Sequence, residues 1–181
     1  MNNRIEPLEA PFTEQVTEDF NKVMPPGMPV LGIFRTVAKN PRVLSRMVNG
    51  GLLDKGSISI ADRELVILKA CGLCKAEYEW GVHVSIFAKK AGFSQAQIED
   101  TCHEQFNPSL WSESQQLILK MVEQLHVNQR INDALWEQLS QAFEEQQLIE
   151  LVMLAGLYHT VSFMVNAFNI QNESFAATFP T

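Results

Sequence analysis

The sequence has few of the features that mark secreted, membrane-spanning and nucleic-acid-binding proteins. It contains only three cysteines in 181 residues, and a small odd set does not fit a fold held together by disulfides. Its first residues lack the apolar core of a signal peptide, and no run of 18 apolar residues indicates a membrane span. These absences predict a protein of the reducing cytoplasm without a membrane partner.

Positive charge is also scarce. Lysine and arginine number 14 against 21 aspartates and glutamates, which gives a net charge of −7. A phosphate backbone would be repelled by that excess, so we expect no nucleic-acid partner. Glycine-rich phosphate loops, nucleophile elbows and His-Glu-x-x-His motifs are missing too, and we expect no cofactor.

What is present is an ordinary globular balance, with 46% hydrophobic and 19% charged residues. The length predicts a single domain over residues 1–181. Its core is expected at about 30–170, between an N-terminal arm and a loose C-terminal tail. Hydrophobic periodicity is helical almost throughout, and no segment alternates as a strand would. The fold class is therefore all-α, with about eight or nine helices.

The last predicted helix, from about Glu145 to Phe168, is apolar around most of its circumference. Such a helix is normally buried on all sides. In a small domain this often requires a second subunit to cover one face. We therefore expect a homo-oligomer.

The segment that ends at His83 concentrates reactive side chains. Glu79 and His83 are four residues apart, so on a helix they share one face. A carboxylate beside an imidazole orients the ring and tunes its pKa, as acid–base chemistry requires. We predict His83 as the catalytic general acid or base and Glu79 as its orienting partner. The alternative is a local pair on an amphipathic helix.

A second glutamate, Glu64, lies on the apolar stripe of the preceding predicted helix. A carboxylate there needs a partner, and without one its charged form is disfavoured. We predict that Glu64 is a second proton-relay group. The alternative is an ion pair with Arg63 or Lys69 at the margin of the core.

Three further side chains are candidates for a pocket around His83, namely Tyr78, Trp80 and His159. Each also has a structural interpretation. Aromatic side chains at helical spacing are usually core residues, and a lone histidine in a buried helix is more often satisfied by a local hydrogen bond.

Two cysteines, Cys71 and Cys74, form a Cys-x-x-Cys pair and are possible redox residues. They lie at the C-terminal end of a predicted helix, where the dipole disfavours a thiolate. We favour simple packing as small buried side chains. A zinc site would need two more ligands, and Cys102 and His103 match no standard spacing, so no metal site is predicted. The remaining histidines are expected to be solvated or capping residues.

With these residues in view, the chain resembles the carboxymuconolactone decarboxylase and alkylhydroperoxidase D-like (AhpD-like) superfamily. The patterns that carry the resemblance are RELVIL, EYEWGVHV and AKKAG between Ser59 and Ile98, and QLIELVMLAGLYHTVSFMVNAF near the C-terminus. The EYEW-x-x-H string resembles one branch in particular. The resemblance implies an AhpD-like helical fold and a homo-oligomer (dimer, trimer or hexamer) with active sites close to subunit contacts.

In the peroxidase branch of that superfamily, a Cys-x-x-Cys followed by three residues and a histidine reduces peroxides, with a glutamate upstream. Alignment on His83 places this glutamate at Glu64. It places the two cysteines at Ala76 and Glu79, so the thiols are missing from their usual positions.

In the decarboxylase branch, the Glu-x-x-x-His spacing is kept, as in Glu79 and His83. That branch releases carbon dioxide from a lactone acid without a cofactor.

Three functions remain open at this point. The leading hypothesis is a cofactor-independent acid–base enzyme, a decarboxylase-like lyase, acting on a small organic acid or lactone. The second is an alkylhydroperoxidase-like antioxidant enzyme with peroxiredoxin activity that uses Cys71 and Cys74. The third is a non-catalytic oligomeric member of the family.

Overall fold

In the computed structural model, which describes residues 3–180, the chain is helical and those residues contain no β-strand. The all-α prediction is confirmed. The helices are α1 (Glu14–Val23), α2 (Gly32–Val37), α3 (Pro41–Asn49), α4 (Ile60–Leu73), α5 (Glu77–His83), α6 (Lys89–Ala91), α7 (Gln95–Asp100), α8 (Glu113–Asn128), α9 (Asp133–Ala142) and α10 (Glu145–Phe168). A π-helical segment, Val84–Ala88, makes α5 and α6 one continuous helix. Counted in this way, the described residues form nine helices, as expected.

The helix ends follow local sequence signals. Ser94 and Ser112 each form a capping box with a glutamine three residues later. The Ser59 side chain accepts a hydrogen bond from the backbone N–H of Asp62 at the start of α4. Gly92 ends α6 in the left-handed conformation, with a φ of 78°. These boundaries are therefore set by short-range chemistry.

Helix α4 lies at the centre of the fold and packs against α5, α8 and α10. Its residues 63–72 are all buried, including three charged side chains. One of these, Lys69, forms an ion pair with Glu123 at 2.8 Å and donates a hydrogen bond to the His103 carbonyl at 2.7 Å. Lys69 is thus not the partner of Glu64. The central helix carries charges that its neighbours must neutralise.

Helix α10 has a buried face and an exposed face. Leu148, Leu151 and Leu154 are buried in the core. Ile149, Met153 and Phe163 are 71%, 55% and 64% exposed. By length and composition α10 could cross a membrane, but 44% of its most apolar window is buried within this chain. The sequence predicts that α10 is buried on all sides. Within a single chain this prediction is not met.

The C-terminal tail packs on α5, so the prediction of a loose tail is wrong for the described residues; Thr181 lies outside them. Glu77 binds the tail with both carboxylate oxygens, accepting from the Phe179 backbone N–H at 2.8 Å and from the Asn172 side chain at 2.9 Å. The Phe179 ring lies 5.2 Å from that of Trp80. Local sequence patterns do not predict these contacts, because each one joins residues about 90 or more positions apart.

Gly81 permits this close packing. A Cβ atom there would lie 2.0 Å from the Ala177 carbonyl oxygen, a backbone atom that cannot move alone. We expect Gly81→Ala to displace the tail and to lower the free energy of unfolding by about 1–3 kcal/mol. Limited chymotrypsin digestion should then cut the variant after Phe175 faster than the wild type.

Gly51→Ala is the matched control, because the nearest atoms to its Cβ are backbone oxygens at ordinary distances of 3.7 and 3.8 Å. Equal cleavage rates in the two variants would contradict the importance of this contact.

Candidate active site

The site is built where α5 packs against α4. The turn between these helices contains Lys75 in the left-handed conformation, with a φ of 54°. This packing places Glu64 Oε2 2.7 Å from His83 Nδ1. Both side chains are buried, with exposures of 0% and 3%. The structure thus brings together two predicted site residues that are 19 positions apart.

Arg63 holds the other oxygen of the Glu64 carboxylate. Its Nε and Nη2 atoms lie 3.0 and 2.9 Å from Glu64 Oε1. A third nitrogen, Nη1, donates to the Leu53 carbonyl at 2.7 Å. The ion pair with Arg63 that was considered as an alternative is therefore present. It coexists with the contact to His83, because each uses a different carboxylate oxygen.

The other ring nitrogen of His83 faces Tyr158 and Glu79. The Tyr158 hydroxyl lies 3.1 Å from Nε2, and Glu79 Oε1 lies 3.4 Å from it. The closer carboxylate contact to the ring is therefore made by Glu64, whereas Glu79 was predicted as the orienting partner. The reason is tertiary: α4 presents Glu64 directly to Nδ1. The second oxygen of Glu79, Oε2, is buried and has no hydrogen-bond partner among the described residues.

The pKa of His83 is set by opposing effects. Burial lowers the pKa, whereas hydrogen bonds and charge from Glu64 and Glu79 raise it, and the result is a pKa of about 9. The ring is therefore an imidazolium at neutral pH, with a proton on each nitrogen. Burial and the same two glutamates raise the pKa of Tyr158 well above its ordinary value, so its phenol stays neutral. His83 can therefore donate a proton from Nε2, beside the neutral Tyr158 hydroxyl.

A cavity of about 640 Å³ opens in front of His83 and Tyr158. Most of its lining is apolar, and Glu79, His83 and Tyr158 form a polar patch in the wall. The apolar wall includes Met24, Met28, Met47, Ile86, Phe87, Leu157 and Val161. A cavity of this size is suited to a small organic molecule. Because little water competes inside an apolar wall, charge on His83 acts strongly on a bound molecule.

The three predicted pocket residues do not line this cavity. The Tyr78 hydroxyl donates to Glu173 at 2.6 Å and accepts from the Ile33 backbone N–H at 3.1 Å. Trp80 donates to the Thr101 hydroxyl at 2.9 Å. Both flank Glu79 in sequence, and a helix turns neighbours away by about 100 degrees. They are structural residues of the core.

The third of them, His159, lies in a different cluster with His126 and Cys74. Sequence analysis missed its neighbour Tyr158, which reaches the cavity instead. A signal was available, because Tyr158 continues the buried stripe of Leu151 and Leu154 at helical spacing. A buried tyrosine hydroxyl needs a polar partner.

The cysteines also lie outside the cavity lining, and none of the three forms a disulfide in the described structure. Cys71 is fully buried, and Ser162 donates to its sulfur at 3.8 Å. Burial raises the pKa of Cys71 well above its ordinary value and raises that of Cys74 as well. Thiolates are thus disfavoured at both positions.

Comparison with known protein families finds a match to part of the chain. The sequence model of the carboxymuconolactone decarboxylase family matches residues 40–117, a range that holds Glu64, Glu79 and His83. No curated protein matches the chain. Residues 40–117, a little under half of the chain, are therefore similar to the carboxymuconolactone decarboxylase family.

Solved structures share the fold at low identity. An uncharacterized peroxidase-related protein from Silicibacter sp. TM1040 has a TM-score of 0.77 and 17% identity, covering 96% of this chain and 93% of that chain. A variant of the debrominase Bmp8 in complex with 2,3,4-tribromopyrrole has a TM-score of 0.77 and 15% identity, covering 96% of this chain and 94% of that chain. The AhpD core of a peroxidase-related protein from Ralstonia eutropha JMP134 has a TM-score of 0.75 and 14% identity, covering 94% and 93%. At these identities the likeness shows the fold alone.

The contact between Glu64 and His83 generates a direct prediction. Glu64→Gln removes the anion at Nδ1, so the pKa of His83 should fall by about one to three units. Glu79→Gln should lower this pKa less, because its oxygen lies 3.4 Å from the ring rather than 2.7 Å. NMR titration of ¹⁵N-histidine-labelled protein measures both shifts. Equal falls in the His83 pKa in the two variants would contradict the stronger influence of Glu64.

The same contact links stability to pH. The folded-state pKa of about 9 lies above the ordinary value of 6.5. The resulting stabilisation is therefore complete below about pH 6.5 and is lost as the pH rises through about 9. Urea unfolding across this range should show a smaller loss in Glu64→Gln than in the wild type.

Proposed function

We propose that this protein is a cofactor-independent acid–base enzyme that acts on a small organic acid or lactone in the cytoplasm. His83 is its general acid. One observation carries the proposal: a buried imidazole ring is held by Glu64 on one nitrogen, while its other nitrogen lies at the wall of an apolar cavity. Titratable groups with perturbed pKa values in a cavity are characteristic of acid–base sites.

The proposed reaction is a decarboxylation. The bond between a substrate carbon and its carboxylate breaks, and the electron pair stays on the carbon. His83 Nε2 delivers its proton to that carbon, carbon dioxide leaves, and the neutral imidazole regains a proton from water. Glu64 keeps the ring oriented throughout. No external oxidant or reductant is needed.

Substrate size and polarity follow from the cavity. Its mainly apolar wall suits a small ring, and the unpartnered Oε2 of Glu79 can accept a hydrogen bond from a substrate hydroxyl. Lys22 also lines the cavity and supplies a cation for a substrate carboxylate, although it is paired with Asp19 at 2.8 Å. The 2,3,4-tribromopyrrole complex of the debrominase supports a small ring as the class of ligand.

A homo-oligomer is part of the same proposal. Ile149, Met153 and Phe163 recur at spacings of four and ten residues, which places them on one side of α10. All three are more than half exposed in the single chain. An exposed apolar stripe of this kind is typical of a subunit contact.

His83→Ala tests the proposed general acid. With carboxymuconolactone and a panel of related lactone acids as probes, we expect the variant to lose about 10²–10⁴-fold in kcat/KM for any probe that the wild type decarboxylates. Wild-type kcat/KM should fall as the pH rises through about 9, because the acid form of His83 is lost. Release of carbon dioxide is the measurement.

His103→Ala is the control, since this exposed histidine lies outside the cavity lining. Undiminished turnover in His83→Ala would contradict the proposal. If no probe is turned over while the cavity remains intact, the non-catalytic hypothesis gains support.

The alternative proposal is a thiol peroxidase that uses Cys71 and Cys74. Ser162 donates to the Cys71 sulfur at 3.8 Å, and Cys74 lies close enough to help raise the pKa of Cys71, which indicates that the thiols are neighbours. Their burial and raised pKa values argue against reaction with peroxide. The acid–base proposal therefore has the stronger support.

Peroxide treatment separates these two functions. We expect Cys71 and Cys74 to remain reduced after brief exposure to hydrogen peroxide or cumene hydroperoxide, as measured by mass spectrometry of the alkylated protein. Rapid formation of a disulfide between Cys71 and Cys74 would favour the peroxidase. Cys102→Ser keeps the third thiol from contributing to the signal.

A further inference from the structure

A second cluster of reactive side chains lies outside the cavity, where α4, α8 and α10 meet. Cys74 caps the C-terminus of α4, His126 lies in the last turn of α8, and His159 lies in the middle of α10. His126 Nδ1 is 2.9 Å from His159 Nε2 and 3.9 Å from Cys74 Sγ. The three atoms all lie within 4.8 Å of one another.

We propose that Cys74 Sγ, His126 Nδ1 and His159 Nε2 bind a divalent metal ion of the zinc class. One thiolate and two imidazoles form a donor set that zinc accepts in tetrahedral sites. Three protein ligands leave the fourth position to water. Sequence spacing predicted no metal site, because the three ligands come from helices far apart along the chain.

Two of the three separations between donor atoms are close to this geometry, and the third is within 4.8 Å. Zinc–nitrogen bonds of about 2.0 Å and zinc–sulfur bonds of about 2.3 Å at tetrahedral angles place two nitrogens about 3.3 Å apart and sulfur about 3.5 Å from nitrogen. The observed separations of 2.9 and 3.9 Å differ from these values by less than half an ångström. Small side-chain adjustments bring the three atoms to a common ion.

The orientation of His159 also favours a ligand at Nε2. Its Nδ1–H donates to the Ala155 carbonyl at 2.8 Å, which leaves the lone pair of Nε2 free to bind. A backbone carbonyl on the far nitrogen is the usual support for a histidine ligand. The Nδ1 of His126 faces this lone pair and therefore carries a proton in the metal-free form. On binding, that proton moves to Nε2 of His126, and Cys74 releases its thiol proton.

The surroundings are compatible with a charged ion. All three side chains are half-buried, so an ion can enter from solvent. Lys69 lies nearby, but its charge is balanced by Glu123 at 2.8 Å. Because the site joins three core helices, a bound ion stabilises the fold.

Cobalt and zinc titrations test the site. Protein freed of metal with a chelator is titrated with Co²⁺, and we expect one ion per chain with a thiolate-to-cobalt charge-transfer band in the near ultraviolet. Zn²⁺ should displace the cobalt and raise the melting temperature. Cys74→Ser should abolish the charge-transfer band, and His159→Asn should weaken zinc binding at least about 100-fold.

Cys102→Ser and His103→Asn are matched controls, and both should bind metal as the wild type does. Where a ligand variant fails to fold, protection of Cys74 from iodoacetamide by Zn²⁺ in the wild type gives the same information. A charge-transfer band that survives Cys74→Ser, or Zn²⁺ that leaves Cys74 fully reactive, overturns the proposal. His83→Ala should still bind the metal. The metal-site proposal can therefore fail or succeed independently of the acid–base proposal.

Discussion

The buried carboxylate of Glu64 is the constraint on which the site depends. A charge with no solvent exposure is costly unless neighbours neutralise it and satisfy its hydrogen bonds. Arg63 neutralises one oxygen and His83 the other. Because His83 is on α5, the same interaction that makes Glu64 tolerable also fixes α5 against α4. Loss of Glu64 would leave Arg63 and His83 in the core without the anion that they share.

The alternation of charge explains why an acid can persist in an apolar wall at neutral pH. Arg63, Glu64, His83 and Glu79 follow one another in space with alternating sign. Their formal charges cancel when His83 is protonated, so the protonated form is the one that the core accepts. Tyr158 adds a neutral oxygen beside Nε2. The surrounding structure thus selects the protonation state that general acid catalysis needs.

Sequence patterns predicted the parts of this arrangement that depend on near neighbours. The shared face of Glu79 and His83 follows from their spacing of four residues, and the helix caps found at Ser59, Ser94 and Ser112 are local in the same way. Periodicity shows which face of a helix is buried, but it does not show which helix lies opposite. For that reason the contact of Glu64 with Nδ1, the place of Tyr158, and the packing of the tail on Glu77 emerged only from the structure.

Helix α10 separates two kinds of chemistry that the superfamily resemblance places at one site. Tyr158 and His159 are consecutive, so their side chains leave the helix about 100 degrees apart. Tyr158 contacts His83 at the cavity, whereas His159 contacts His126 beside Cys74. Ser162 follows Tyr158 by four residues and His159 by three, so it lies between their two directions, and it donates to the Cys71 sulfur at 3.8 Å. Cys71 is thus close enough to the first site for the charge of Glu79 to add to burial in raising its pKa, whereas Cys74 lies beside His126. Cys74, which lies beside His126 and His159 rather than beside His83, is therefore better placed to bind a metal than to attack a peroxide.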